Sequence, residues 1–415
     1  MLIWFATAIT TFYPLAQRSA GVIPDAPCRG VDITSEWVPL QLQGGGGEVA
    51  YVEPSTLAAS RTVGVLLAGG PVWIWGGPHS GSRPLNRSAE YLGAVLRTAA
   101  PPELVPRPPF MIGSGGISVR AAELTAGGWL VVAPADDADD AGDLWSAEYT
   151  NGAWARVARL PSGAPGRLRT DGASELVGTP DGFALAMPIA LPDGQRRVAL
   201  YRWRDGVWYM SLIPIGVADL ALVNTASQGL VLAVTRADET RRADVNSLFI
   251  YTESDGWMMG RLVVQGGRRP VWDARWSLGT GRPSLTWVRS NLEAGRIRTV
   301  AMTALDPLDE TANRILGLVD DAQYVFGLGR VLDEEMWLVA TRSDLPDGHR
   351  LMILGLKDDE VVIHYDSPTI FGATIRAVWE REGLLLVTGG SETERSGRPV
   401  VESRLLRLRF ACREH

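Results

Sequence analysis

Lysine, histidine and cysteine are scarce in this 415-residue sequence, and these shortages exclude several classes of function. Lysine occurs once, at Lys357, and the formal net charge is -7, so the chain has no basic field that would attract nucleic acid. The four histidines have no metal-ligand spacing, and we expect neither a metal site nor a cofactor. No Walker loop and no G-x-S-x-G motif occurs, so P-loop nucleotide binding and serine hydrolysis have no support in the sequence.

The loop DDADDAGD at 136–143 is the densest run of acidic residues. Carboxylates are ligands that calcium prefers, so a cation site is one interpretation. The loop lacks the alternation and the final Glu of an EF-hand, and closely spaced like charges are typical of a solvated loop. We favour the solvated loop.

Long apolar runs are also missing, because no segment reaches the roughly 18 consecutive apolar residues of a membrane helix. The N-terminal stretch LIWFATAITTFYPLA at 2–16 is similar to a signal-peptide core, and small residues follow at 19–21. We predict a signal peptide over 1–21, a short segment over 22–30 that carries Cys28, and export to the periplasm or the medium. A buried first strand or a wrongly assigned start is the alternative. The predominance of arginine over lysine indicates GC-rich coding and a bacterial source.

Helical periodicity is nearly absent, with SAEYLGAVLRTAA at 88–100 as the exception. Aromatic hairpins recur instead at 144–161, 200–215 and 248–264, the first two around Asn-Gly and Asp-Gly turns. Related units start near residues 117, 170, 217, 272, 322 and 372, a period of about fifty residues. Four short strands per unit at this period are typical of a β-propeller blade.

The region before residue 117 predicts one more blade, with strands at 47–53, 62–70 and 71–77. The expected fold is therefore all-β, a single β-propeller over 31–415 with seven four-stranded blades. Six or eight blades are the alternatives, because this first region is degenerate.

The two ends of the chain predict how the ring closes. The last unit stops after SRLLRLRFA at 403–411, and EWVPLQL at 36–42 is a strand without a unit. Pairing the two would complete the last blade and bring Cys28 close to Cys412, where an oxidising compartment would permit a disulfide. Two unrelated buried thiols are the alternative.

Charged residues recur where the innermost strands begin, at the mouth of the expected central channel. Arginine is a bidentate donor and aspartate an acceptor, so this set predicts a site for an anionic or sugar ligand. Ion pairs that tie neighbouring blades are the alternative. The candidate residues are Arg120, Asp171, Asp219, Asp273, Arg275, Asp321 and Arg376.

At 150–161, 204–215 and 254–264 the chain resembles the sialidase-like and BNR-repeat propellers of secreted bacterial proteins. The hairpins differ from that family's Asp-box, since Asn151 and Asp205 each precede tryptophan at another spacing. The resemblance implies a propeller over most of the chain. It also implies three arginines on a substrate carboxylate, for which Arg120, Arg275 and Arg376 are the nominees. The sequence nominates no Tyr–Glu nucleophile pair.

The predicted function is a non-catalytic extracytoplasmic propeller that binds a ligand or serves as an interaction scaffold. Its partner would be a glycan or a protein at the channel mouth, with no nucleic acid and no membrane span. The alternative is a glycan-active hydrolase or lyase, which needs two carboxylates at glycosidase separation in that mouth. A metal- or redox-dependent enzyme is disfavoured by the four histidines.

Overall fold

The computed structural model of the chain contains β-strands and turns, and no helix occurs in the residues that it describes. Within those residues, accordingly, no helix has the length and apolar character of a membrane span. The described residues are 28, 30–39, 41–43, 49–52, 56–60, 64–70, 72–75, 85–86, 90–97, 103–111, 119–134, 144–161, 167–168, 174–192, 195–237, 246–266, 271–279, 282–293, 296–309, 311–343, 348–380, 384–395 and 398–413. The predicted signal peptide, most of 22–30 and the acidic loop lie outside them.

The strands up to residue 134 are β1 (Val31–Pro39), β2 (Gln41–Gln43), β3 (Val49–Val52), β4 (Thr56–Ser60), β5 (Gly64–Ala68), β6 (Val72–Trp75), β7 (Leu85–Asn86), β8 (Tyr91–Leu96), β9 (Glu103–Pro106), β10 (Arg120–Glu123) and β11 (Trp129–Pro134). The next are β12 (Leu144–Thr150), β13 (Ala153–Arg159), β14 (Arg167–Leu168), β15 (Glu175–Thr179), β16 (Gly182–Ala190), β17 (Arg196–Arg204), β18 (Val207–Ile213), β19 (Asp219–Thr225), β20 (Gly229–Ala237), β21 (Asn246–Thr252) and β22 (Arg261–Val264). The last are β23 (Val271–Trp276), β24 (Leu285–Glu293), β25 (Arg296–Leu305), β26 (Arg314–Asp320), β27 (Ala322–Val331), β28 (Glu334–Arg342), β29 (Gly348–Lys357), β30 (Glu360–Asp366), β31 (Ile370–Glu380), β32 (Leu384–Arg395) and β33 (Arg398–Cys412).

Most of these strands form seven four-stranded antiparallel blades. Blade 1 contains β4, β5, β8 and β9, and blade 2 contains β10–β13. Blade 3 contains β15–β18, with the short β14 also on β16, and blades 4 and 5 contain β19–β22 and β23–β26. Blade 6 contains β27–β30, and blade 7 contains β31–β33 completed by β1. The predicted all-β propeller with seven blades is confirmed.

The first strand of each later blade, and β4 of blade 1, lies innermost. Contacts run from β4 to β10, β15, β19, β23 and β27 in turn, and β31 contacts β4 again. Each blade is thereby covered on both faces, which explains why strands such as β5 and β11 are buried along nearly their whole length. The inner strands begin at residues 120, 175, 219, 271, 322 and 370 after blade 1, close to the predicted repeat starts.

Two predicted hairpins form as expected from their turns. Asn151 and Asp205 both have a φ of 51°, and the glycines that follow have φ values of 79° and 82°. Positive φ at both central residues is the type I′ geometry, whose twist matches the flanking strands. The pairing of Arg204 with Val207 confirms the two-residue turn in blade 3.

The N-terminal region differs from the prediction. Blade 1 uses 56–60, 64–68, 91–96 and 103–106, whereas β3 and β6, expected in that blade, belong to a separate sheet with β2 and β7. The stretch at 88–100 that carries a helical pattern contains the buried strand β8. A Cβ on Gly93 would lie 1.8 Å from the carbonyl oxygen of Leu67, so the glycine permits the close approach of β8 to β5.

Ring closure follows the prediction. β1 pairs antiparallel with β33, from Val31 opposite Cys412 to Pro39 opposite Arg404. A disulfide joins Cys28 to Cys412, whose Cα atoms are 5.4 Å apart. Arg413 also donates to Asp32 with its Nε, at 2.9 Å. The observed strand β1 begins and ends earlier than the predicted strand at 36–42, because it runs from Val31 to Pro39 and Gln41–Gln43 belongs to the separate N-terminal sheet.

Tryptophan side chains connect five pairs of neighbouring blades. Each donates its indole N–H to an oxygen of the preceding blade, so a residue from the core of one blade also fixes its spacing from the next. The bonds run from Trp154 to Pro106 O (2.9 Å), from Trp208 to Ser146 Oγ (2.8 Å), from Trp276 to Ala221 O (3.2 Å), from Trp337 to Thr303 Oγ1 (3.2 Å) and from Trp379 to Leu328 O (3.1 Å).

The tryptophan bonds lead to a matched test. Trp337 and Trp287 are both fully buried, but the indole N–H of Trp287 has no hydrogen-bond partner among the described residues. Trp337→Phe should therefore lower the free energy of unfolding by about 1 kcal/mol more than Trp287→Phe, as expected for one lost hydrogen bond. Urea denaturation of both variants measures the difference. Equal losses would show that the bond to Thr303 contributes nothing.

Closure by the disulfide is testable separately. Because the bond spans 384 residues, loop entropy gives an upper value of about 6 kcal/mol, and the remaining β1–β33 pairing should reduce the effect to about 2–4 kcal/mol. We expect the Cys28→Ser, Cys412→Ser double variant to lose that amount in denaturant titrations. A thiol assay on the denatured, unreduced protein should find no free thiol, and two titratable thiols would refute the bond.

Candidate functional site

Charged side chains from five inner strands meet in the central channel. Because the blades repeat by rotation about one axis, their inner strands run in the same direction and begin at the same end of the channel. β10, β15 and β19 each begin with a charged residue, and β23 and β31 add three more. We call this group the channel cluster: Arg120, Glu175, Asp219, Asp273, Arg275 and Arg376. Its members interact electrostatically across the channel.

One ion pair is built by an irregularity in β23. The register with β24 shifts between Trp272 and Arg275, and Asp273 has a φ of 54°. This bulge places Asp273 and Arg275 side by side, where Arg275 donates from Nε at 3.0 Å and from Nη2 at 2.5 Å to Oδ1. The guanidinium also lies 4.6 Å from the ring centroid of Phe326 on β27, as a cation–π contact.

Arg120 ties two blades together. Its Nε donates to the carbonyl oxygen of Ser174 at 2.6 Å, and its Nη1 donates to that of Val119 at 2.9 Å. Thr56 of blade 1 does the same one step around the ring, with its hydroxyl donating to Val119 O at 2.6 Å. Arg120 therefore links neighbouring blades through backbone carbonyl oxygens, which differs from the ion pairs considered as the alternative.

Two carboxyls of the cluster have raised pKa values. Burial, and after it the charge of Asp273, raises the pKa of Asp219 to about 6, although its carboxylate accepts the Leu220 N–H at 3.0 Å. Burial also raises the pKa of Glu175, against the opposing charges of Arg275 and Arg120. A carboxyl in such a place gives up its charge more readily than one in water.

The guanidiniums keep their charge. Burial lowers the pKa of Arg120 and of Arg376, but arginine starts so high that both stay charged. For Arg275 burial acts in the same direction, yet Asp273 outweighs it and the pKa is raised. Among the described residues, the cluster therefore combines three guanidiniums with two carboxyls of raised pKa and the ion-paired Asp273.

The structure brings together five of the seven predicted site residues: Arg120, Asp219, Asp273, Arg275 and Arg376. Asp321 is exposed in the turn before β27, where its carbonyl oxygen accepts the Arg342 N–H, and it does not share the buried environment of the cluster. Asp171 lies outside the described residues. No group of three or more His, Cys, Asp or Glu side chains in the described part could hold a metal ion.

Glu175 is the member that sequence reasoning missed. The repeat near residue 170 suggested Asp171 as the first inner residue, but β15 begins at Glu175. The run Glu175-Leu176-Val177 has the same charged–apolar–apolar pattern as Asp219-Leu220-Ala221 at the start of β19. Aligning the repeats on that pattern instead of on their spacing would have identified it.

Comparisons with known proteins find resemblance in structure only. The sequence matches no family model and none of the curated proteins. It is similar to an α-L-arabinanase of Penicillium chrysogenum complexed with arabinobiose, at 14% identity and a TM-score of 0.48, covering 70% of this chain and 92% of that chain. It is also similar to an α-L-arabinofuranosidase of Fusarium graminearum, at 14% identity and a TM-score of 0.46, covering 70% of this chain and 92% of that chain. A third similar structure is a neuraminidase-like protein from A/flat-faced bat/Peru, at 10% identity and a TM-score of 0.42, covering 92% of this chain and 94% of that chain.

The raised pKa of Asp219 predicts a pH-dependent stability. The folded carboxyl keeps its proton up to about pH 6, whereas the unfolded one loses it near pH 4, so stability falls as the pH rises through that interval. Asp219→Asn removes the titrating carboxyl. The melting temperature of the variant should therefore exceed that of the wild type at about pH 7 and equal it at about pH 4. Thermal unfolding across pH measures the difference.

Asp181→Asn is the control for this experiment, because Asp181 is an exposed partner of Arg204 at 3.0 Å on the surface of the neighbouring blade 3. Its exposed pair should change the melting temperature little at either pH. An Asp219→Asn curve parallel to that of the wild type at all pH values would contradict the buried-carboxyl account.

Proposed function

We propose that the protein is an extracytoplasmic β-propeller that binds an anionic sugar at the channel mouth without transforming it. The observation that carries the proposal is the convergence of Arg120, Arg275 and Arg376 on one end of the channel. Guanidinium groups present planar pairs of donors that suit a carboxylate or a phosphate, so a carboxylated or phosphorylated sugar fits the site.

The proposed location rests on the disulfide between Cys28 and Cys412. Disulfides persist in oxidising compartments such as the periplasm and the extracellular medium, and are rare in the cytosol. The signal-peptide pattern at the N-terminus agrees with export, and a bacterial source remains part of the proposal.

A second candidate is a glycan-active enzyme, and one observation favours it. The cluster combines a carboxyl with a raised pKa, Glu175, and a carboxylate in a salt bridge with Arg275, Asp273. Glycosidases use a protonated acid together with an ionised carboxylate. The sialidase-like resemblance of the sequence belongs to the same proposal. Release of the aryl alcohol from aryl glycosides, measured with wild type and Glu175→Gln, distinguishes the enzyme from the binding protein.

Arg376 is the residue to test for binding. Arg275 is less suitable, because its removal would leave the half-buried Asp273 without its guanidinium partner and would destabilise the fold. Arg376→Ala should lower the affinity for glucuronate or glucose 6-phosphate by about 10- to 100-fold, the loss expected for charged hydrogen bonds. Isothermal titration calorimetry measures it, with methyl glucoside as the uncharged ligand that should not bind.

Arg330→Ala is the matched control. Arg330 is exposed at the far end of the inner strand β27, near Asp333 at 3.6 Å, so its replacement should leave the affinity unchanged. Equal affinities for wild type and Arg376→Ala, or no binding of either anion by the wild type, would refute the proposed site.

A further inference from the structure

We propose that ligand binding at the channel mouth is coupled to proton uptake by Glu175 and Asp219, so that these two carboxyls set when the arginines can hold an anion. The inference rests on the proposed function and specifies the regulation of the same site. Glu175 and Asp219 are positioning residues in it, because they act through the charge of the cluster.

The surroundings of Glu175 determine its role. It opens β15 and is paired with Ala186 of β16, a strand without titratable side chains. Arg120 of β10 and Asp219 of β19 flank it, and Arg275 and Arg376 act on it across the channel. Glu123 lies at the other end of β10. Three cations and one acid therefore face this carboxyl.

Asp219 has a different set of neighbours. Asp219 interacts electrostatically with Glu175 of β15. Asp273 and Arg275 of β23 also act on it. It is paired with Thr235 of β20, whose next residue, Arg236, is exposed. Its carboxylate is held by backbone N–H groups of Leu220 and Asp273, so it lies fixed beside a second carboxylate.

In the part of the chain that the structure describes, Arg120 and Arg275 form no close ion pair with these two carboxyls. Arg275 forms its ion pair with Asp273, and Arg120 donates from Nε and Nη1 to backbone carbonyl oxygens. Among the residues described, neither Glu175 nor Asp219 is in a salt bridge. Their charges balance the arginines only at longer range, where an entering anion can take their place.

The two protonation states of the cluster differ in net charge and therefore in their expected affinity for anions. With all carboxyls ionised, three carboxylates offset three guanidiniums and the mouth is close to neutral. With Glu175 and Asp219 protonated, the same groups carry three positive charges and one negative charge. A bound anion repels both carboxylates and raises their pKa further, so anion and proton favour each other's binding by the same free energy. The site therefore selects ligands that stay ionised in acid, which carboxylated and sulfated sugars do.

The experiment follows glucuronate binding by isothermal titration calorimetry at about pH 5 and about pH 7.5, a range over which this probe stays ionised. We expect the wild-type affinity to fall at least about tenfold toward the higher pH, since uptake of one proton gives up to tenfold per pH unit above the pKa. Repeating the titration at about pH 6.5 in buffers of different ionisation enthalpy should show net proton uptake by the complex.

Asp219→Asn and Glu175→Gln are the informative variants, and Asp181→Asn, on the surface, is the matched control. Each informative variant should bind glucuronate more tightly than the wild type at about pH 7.5 and show a flatter pH dependence, while the control follows the wild type. If a variant fails to fold, the proton uptake measured for the wild type tests the coupling by itself.

The outcomes separate the two proposals. Glucuronate binding that is equally tight at both pH values, with no proton uptake, would overturn the coupling and leave the anion site standing. Absence of binding at both pH values would overturn both. Proton uptake that persists unchanged in both variants would assign it to other groups and overturn the role of Glu175 and Asp219.

Discussion

Closure of the ring is the constraint on which the rest of this structure depends. Each blade is a thin sheet whose two faces are both apolar, and only neighbours on either side remove both faces from water. An open arc of blades would leave two such faces exposed. The pairing of β1 with β33 therefore stabilises every blade, although it joins segments from opposite ends of the chain. The Cys28–Cys412 disulfide and the contact between Asp32 and Arg413 reinforce this one joint.

The ring also creates the channel cluster. No single blade could hold six charged side chains, but rotation about one axis brings the first inner residues of separate blades to a common centre. The same rotation gives these residues structural work, as when Arg120 reaches the backbone of blade 3. The same inner positions can therefore link neighbouring blades and also, in the proposal above, contribute to a ligand site.

The architecture was predictable because it repeats. A period of about fifty residues, hairpins at Asn151-Gly152 and Asp205-Gly206, and an unfinished last unit together indicated the propeller and its closure. The N-terminal region was not predictable, because several short apolar runs competed for the same blade. The run at 91–96 is apolar enough for a helix or a buried strand, and only packing against β5 decides between them.

The site was harder to predict because its chemistry depends on contacts that a sequence does not contain. The spacing of the repeats located Asp219 and Arg275 but missed Glu175 by four positions, since strand starts drift within a repeat. The bulge that turns Asp273 toward Arg275 has no sequence signal of its own. The sequence does not show which carboxyl will pair closely with a guanidinium and which will have guanidinium groups only at longer range.

That difference in pairing separates structural from functional members of the cluster. Asp273 and Arg275 form a close ion pair through Oδ1, while Asp273 Oδ2 has no hydrogen-bond partner among the described residues, and Arg120 donates to backbone carbonyls. Close partners of this kind lower the free energy of the fold. Glu175 and Asp219 raise it when ionised, because burial penalises charges that have no close partner. Buried carboxyls without a close partner are the kind of group whose pKa is tuned at functional sites, and the proposed proton uptake would give Glu175 and Asp219 such a task.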